Sequence, residues 1–427
     1  MKIRVSKIIE LLVLLYVILN ATYIFPFFDV QVPELFYSMA RIVPIITAAY
    51  CLLNRNVYSQ IYHYVKFINW FVAVWFLFFV LEIIYSINLY GENITFERIL
   101  SNYWCFVYIL LVYPIVYLLY LYKDGFLKKL ASIIVFDTFL RGTASFVESV
   151  SGISISAFLS TKMSSARIGI NRLFCNVFTP LVLDLKIVKD IDNRYMKFFP
   201  SFTTIFLLIY IIFIDQSRSK LVGIVAVIGI WIYAGIDSKN SFSGKKKVIY
   251  IVGMIMFVIC LTTFGVIESI FDSFSTTGEN AASTINRVYS VKYYLSEMKG
   301  KEALGMGLLY DDTIYGSGSS TLYHILRNPD IQLGRAAYFE DFGIIGQYFN
   351  YGIIGVMLFL FFFLRIVKIV CNCKYTSKYY MLLILCVHSV IDSFMPISIF
   401  TNTNMILVPF YFAIFEFYNI EARIKKE

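Results

Sequence analysis

Charge is what this chain has least of. Only 15% of its 427 residues are Asp, Glu, Lys or Arg, against roughly 25% in a soluble domain. That shortage excludes a string of two or three soluble domains, which the length alone would allow. Glycine-rich nucleotide cradles are missing too: no P-loop and no Rossmann pattern occurs. His, Asp and Glu never fall at metal-ligand spacing in the polar stretches. The pair Asp311 and Asp312 comes nearest and lacks a third ligand. No basic stripe with interleaved aromatics sits on a soluble face, so nucleic acid is not an expected partner. There is no convincing internal repeat and no low-complexity tract. The first apolar run is too long for a signal-peptide core and is followed by Tyr23, Phe25 and Phe27 instead of a small-residue cleavage site. Of the seven cysteines, Cys51, Cys105, Cys175, Cys260 and Cys386 fall in apolar runs where a small side chain packs well. Cys371-x-Cys373 has no second pair, and no disulfide is expected.

What remains is apolar. The chain is 59% hydrophobic and 18% aromatic, arranged as runs long enough to cross a bilayer as helices, for which about 18 residues suffice. The runs predict spans near 8–25, 34–53, 67–87, 103–122, 130–147, 173–189, 198–214, 220–236, 248–267, 349–367, 379–396 and 402–418. The expected fold is an all-α polytopic membrane protein with about 12 transmembrane helices and one large external loop between spans 9 and 10. Residues 1–267 form a membrane bundle of about nine spans. Residues 268–342 form the external loop with short helices, and 343–427 a bundle of about three spans.

Lys and Arg set the orientation. They gather in alternate connections: Lys2, Arg4 and Lys7; Arg55 and Lys66; Lys123, Lys128 and Lys129; Lys186, Lys189, Arg194 and Lys197; Lys239 and Lys245 to Lys247; Arg365, Lys368, Lys374 and Lys378; Arg423, Lys425 and Lys426. The intervening connections near 26–33 and 397–401 have none, and that near 88–102 has Arg98 alone. The alternation predicts cytoplasmic N- and C-termini and puts the long loop on the other side. The net charge of +9 is therefore mostly a topology signal. The loop itself is acidic, with ten Asp and Glu against six Lys and Arg.

Charges inside spans mark either a polar cavity or an interhelical pair. Arg41, Glu82, Asp137, Arg141, Asp184 and Asp392 are such positions; Asp137 and Arg141, four apart, share a helix face. The arginines expected on the loop side carry more information. Arg167 and Arg172 precede the sixth span. Arg218 lies in a very short hairpin, Gln216-Ser217-Arg218-Ser219-Lys220, held close to the membrane plane. Arg287 opens a predicted amphipathic helix over 284–298, with Ser283 or Thr284 as cap and Gly300 as stop. At helical spacing it shares a face with Val291, Tyr294 and Met298. A guanidinium is permanently charged and binds phosphate oxygens in pairs, so a lipid-linked phosphate or diphosphate fits these positions. Anchoring at lipid head groups is the plainer alternative.

Three segments resemble the O-antigen and capsular polysaccharide polymerase family (Wzy type), which is related to the O-antigen ligases. They are QSRSKLVGIVAVIG at 216–229, similar to that family's Ser-Arg hairpin and following span; Arg287 with LGMG at 304–307, about 18 residues on; and EDFGIIGQYFNYGIIG at 340–355, in which Asp341 precedes Gly352 by 11 residues and Gly355 follows. The resemblance implies a multi-pass enzyme of the bacterial cytoplasmic (inner) membrane, in lipopolysaccharide or capsule biosynthesis. Such an enzyme joins undecaprenyl-diphosphate-linked oligosaccharide repeat units, with membrane lipid and a chain-length regulator protein as further partners and no cofactor or metal. Under it, Arg218 and Arg287 stabilise the departing diphosphate. Asp341, or Glu340, is the base for the acceptor hydroxyl. Arg167, Arg172, Arg335 and His324 are secondary substrate-binding positions. Ligase-type relatives have histidine where this chain has Asp341, which favours a polymerase. A lipid-linked oligosaccharide flippase or exporter is the alternative from another class, and a start of the following helix is the alternative use of Glu340 and Asp341.

Overall fold

The computed structural model describes residues 5–22, 34–91, 94–151, 281–309, 342–394, 400 and 405–424, with 226, 229 and 230. The spans expected at 173–189, 198–214 and 248–267 lie outside the described residues, as do all but three residues of the span expected at 220–236 and most of the loop. Every regular element among the described residues is helical: α1 Val5–Ala21, α2 Glu34–Leu53, α3 Arg55–Tyr90, α4 Phe96–Asn102, a 3-10 helix Trp104–Leu111, α5 Val112–Tyr122, α6 Asp124–Ser151, α7 Ala281–Glu297, α8 Ile344–Asn372, α9 Tyr379–Phe394 and α10 Leu407–Ile424. Among them Arg55–Tyr90, Trp104–Tyr122 and Ile344–Asn372 are long and apolar enough to cross a membrane, and Arg41–Leu53 and Tyr379–Ile391 are shorter apolar helices.

Three expected boundaries move. Residues 55–66 form the first turns of α3, not a connection: Asn54 caps the helix through Oδ1, accepting from the amides of Asn56 and Val57 at 3.1 and 3.3 Å, and Val57, Ile61, Tyr64 and Val65 give that lead-in a buried stripe. The span expected at 103–122 begins as a 3-10 helix and becomes α-helical at Val112. Pro114 sits in the first turn of α5, where its missing N–H leaves no bond unmade. α8 starts at Ile344, before the expected 349, and contains a break at Gly352.

The bundle is built around α10. From Leu407 to Asn419 its side chains are buried on every face, the mark of a helix enclosed by others. It packs against α5, α8, the 3-10 helix and α3. The α3–α8 seam is aromatic. Phe67 stacks on Phe361 with ring centres 5.9 Å apart, Trp75 meets Phe359 at 6.1 Å, and Phe78 meets Tyr351 at 6.0 Å. Ascending numbers on α3 meet descending numbers on α8, so the two run antiparallel. Such ring pairs each contribute about 1 kcal/mol beyond area burial, which matters where lipid is as apolar as the core.

Ion pairs fasten one end of the bundle. Arg365 of α8 grips Glu416 of α10 with two bonds, Nε to Oε1 at 2.6 Å and Nη2 to Oε2 at 2.8 Å. Its guanidinium also lies 4.0 Å over the Phe67 ring. Lys378 Nζ is 3.2 Å from Asp124 Oδ2, and the Tyr418 hydroxyl donates to Asp124 Oδ1 at 2.5 Å. Lys129 pairs with Glu10. Lys7, Lys129, Arg365 and Lys378, basic residues from connections expected to share one side, thus meet at one end.

Candidate functional site

The opposite end is built from glycine and backbone. α7 spans Ala281–Glu297, so Ser283 and Thr284 lie inside its first turn instead of capping it. Gly300, at φ +78°, ends it as its left-handed conformation requires. Tyr294 and Met298 are buried, while Val288, Tyr289 and Leu295 face outward. The Tyr294 ring packs on Phe349 at 5.3 Å and Phe342 at 6.0 Å. Arg287 precedes Tyr294 by seven residues, so its backbone lies on the same side of α7, two turns away. Phe342 follows Asp341 directly. The helix that carries Arg287 therefore docks on the segment that emerges from Asp341.

What holds the docking is a repair of the broken helix. Gly352 has φ +62° and leaves the α8 ladder, which frees two carbonyls before it and two amides after it. The 302–307 segment satisfies all four. Met306 and Gly307 donate to the carbonyls of Phe349 and Asn350 at 2.8 and 3.0 Å, and the amides of Ile353 and Ile354 donate to the carbonyls of Glu302 and Ala303 at 2.9 and 3.1 Å. Only glycine permits this approach. Gly305 (φ +72°) would bring a Cβ within 2.5 Å of the Asn350 carbonyl oxygen, and a Cβ on Gly352 would come within 2.4 Å of the Ala303 backbone.

α3 clamps the same segment from the other side. Tyr85 donates to the Gly305 carbonyl at 2.9 Å and Tyr90 to that of Met306 at 2.7 Å. Tyr103, just before the 3-10 helix, donates to the Leu309 carbonyl at 2.5 Å. Ser86 accepts from the Leu308 amide at 2.8 Å and passes its own proton to the Glu82 carbonyl at 2.7 Å. Beneath the clamp, the Glu82 carboxylate is fully buried, with no hydrogen-bond partner among the described residues.

Among the described residues of the loop region, the side chains of Glu302 and Tyr293 are displaced from their ordinary values. Backbone amides at Glu302 and Gly300 hold the Glu302 carboxyl below the usual range, Gly300 donating to Oε1 at 3.0 Å. Burial, and then the neighbouring Glu297, pushes the Tyr293 hydroxyl up. Among the described residues no three of His, Cys, Asp and Glu converge.

Of the residues singled out from the sequence, Arg287 has its backbone placed on α7. Arg167, Arg172, Arg218, His324, Arg335, Glu340 and Asp341 lie outside the described residues, as do the side chains of Arg141 and Asp392 and all of Asp184. Asp137 is buried in α6, and Arg41 lies exposed on α2. The first turn of α8, from Ile344, contains no acid; the alternative of Glu340 and Asp341 as a helix start falls on residues outside the described ones. Tyr85, Ser86, Tyr90, Tyr103, Gln347 and Asn350 went unsingled in the sequence. Tyrosine is too frequent there, at 33 residues, for three of them to stand out. The glycines at 305, 307, 352 and 355 were the readable signal. Comparison with protein-family models and with curated proteins finds no match.

Proposed function

We propose that the chain is a membrane glycosyltransferase that polymerises undecaprenyl-diphosphate-linked oligosaccharide repeat units into O-antigen or capsule, on the outer side of the bacterial cytoplasmic membrane. The observation that carries this reading is the docking of the Arg287 helix, through Tyr294, on Phe342 beside Asp341. The helix that carries Arg287 packs on the residue next to Asp341, at a junction sealed by Gly305, Gly307 and Gly352.

In this reaction the bond between the anomeric carbon and the diphosphate oxygen of the donor breaks, and the acceptor hydroxyl oxygen forms a new bond to that carbon. Arg287 and Arg218 bind the diphosphate as charge accumulates on it. Asp341, seconded by Glu340, takes the acceptor proton. The glycosyl diphosphate supplies the driving force. Arg167, Arg172, Arg335 and His324 are the secondary substrate-binding positions of this reading. The termini are cytoplasmic, and a chain-length regulator is the expected protein partner. A ligase is the nearest enzymatic neighbour of this reading.

A cell lacking the chain, complemented with Arg287→Ala or Asp341→Asn, should accumulate single repeat units on lipid and lose the polymer ladder, a drop of about 100-fold or more for each. A full ladder from both variants would reject the assignment. One observation favours a transporter as the second reading: a broken helix beside a buried acid is how transporters build midplane sites. Units stranded on the cytoplasmic face in those variants would decide for it.

A further inference from the structure

α7 turns one side to α8 and leaves the other uncovered. Tyr294, and Met298 just past the helix end, are buried, while Val288, Tyr289 and Leu295 are 46%, 49% and 51% exposed. Val288, Lys292, Leu295 and Lys299 follow at steps of four, three and four residues, so they form one stripe, with Tyr289 and Ser296 along its flank. All six side chains are exposed. The stripe alternates apolar residues with lysine. Lys292 holds its ammonium 5.8 Å over the Tyr289 ring, an alkyl stem on an apolar surface with a charged head beyond it. The one acid of the helix, Glu297, is half-buried and stands round the helix from the stripe, beside Tyr293.

The height of this stripe along the bundle says what meets it. Lys368 of α8 and Lys66 of α3 are exposed at the charge-paired end, where Arg365 lies over Phe67. Phe349 comes 19 residues before Lys368, about 29 Å of helix, and the hydrocarbon layer of a bilayer is about 30 Å thick. Tyr85 comes 19 residues after Lys66, so α3 gives the same height. The Phe349 ring meets Tyr294 at 5.3 Å, and Tyr85 donates to Gly305 at 2.9 Å. Two antiparallel helices thus put the α7 junction at the far edge of the hydrocarbon layer, where tyrosines such as Tyr85 and Tyr90 suit an interfacial belt. At that height acyl chains take up valine, leucine and the tyrosine ring, and lipid phosphates take up lysine.

We infer that the outward stripe of α7 lies on the bilayer, with Val288, Tyr289 and Leu295 among the upper acyl carbons and Lys292 and Lys299 on the phosphates of acidic phospholipid. The inference stands apart from the polymerase reading, because its readout needs no glycan. The test places a photoactivatable benzophenone side chain at position 295, and separately at 288, in the full chain reconstituted in nanodiscs of phosphatidylglycerol or of phosphatidylcholine. Both positions are exposed, so the substitutions disturb no packing. After illumination, mass spectrometry of the whole chain reads what was captured. The expected product from both positions is the chain plus one phospholipid, with a yield about fivefold or more higher in phosphatidylglycerol. Lys292→Gln combined with Lys299→Gln should bring the two lipids to equal yield. Capture of another segment of the same chain, capture of a second copy, or no phospholipid adduct would overturn the inference. So would equal yields in the two lipids from the lysine-bearing chain, or a preference that persists without the lysines.

Discussion

The two ends of the bundle are fastened by opposite chemistry. At the end with α1's start and α10's finish, full charges are paired across helices: Arg365 with Glu416, Lys378 with Asp124, Lys129 with Glu10. At the other end, neutral hydroxyls and backbone groups hold a glycine segment in a helix break, and the one fully buried acid there has no partner among the described residues. Paired charges resist separation, because either partner left alone is stranded. Neutral bonds of about 1 kcal/mol each exchange with water or ligand at small cost. The first end reads as a fixed base; under the proposed function the second is the end that meets substrate.

The comparison can be broken most sharply at the fixed base. Glu416→Ala strands the Arg365 guanidinium and should cost about 3–5 kcal/mol, whereas Arg365→Met with Glu416→Leu should come within about 1 kcal/mol of the parent; a double-mutant cycle in detergent unfolding checks this. Next in size is Gly352→Ala, expected to cost about 3 kcal/mol from left-handed strain plus a collision with the Ala303 backbone. Gly91→Ala is the control. It has φ +55° but no heavy atom within 4 Å of an added Cβ, so the collision should be missing and a smaller loss, from backbone conformation alone, should appear. Equal losses would show that space at the junction is irrelevant. Tyr85→Phe and Tyr90→Phe should each cost about 1 kcal/mol while raising protease access to the 302–309 segment. A change in the first without the second would uncouple the clamp from the loop.

The smallest expected effect is on pH. The Glu302 carboxyl is lowered in the folded chain, so its contribution is present above the ordinary Glu range, about 4.3, and is lost as pH falls through the lower folded value. Tm measured downward from pH 6 should show a slight extra fall that Glu302→Gln removes. A fall that begins above pH 6 would point to another group.

Much of the fold was legible because hydrophobic runs need no partner to be read. The helices α1, α2, α3, α5, α6, α8, α9 and α10 each overlap an expected span. The misplaced boundaries had local causes with weak signals. Residues 55–66 looked like a connection because Arg55 and Lys66 are charged, yet a buried stripe carries the helix through them. The Gly352 break was visible only as a glycine, since nothing in 340–355 says that the missing bonds come from 302–307. Glu82 was visible as a misplaced charge, but its surroundings were not.

Composition and periodicity by themselves determined that this chain is helical and apolar, and where its glycines stand, because both follow from residues acting along one stretch of backbone. Tertiary structure decided which charges pair and which acid has no partner among the described residues. It also decided which four backbone groups repair the helix break. Those outcomes depend on contacts across hundreds of residues, such as Tyr85 with Gly305 and Asp124 with Tyr418. Only the packing of antiparallel helices brings such groups within the few ångströms over which a hydrogen bond acts.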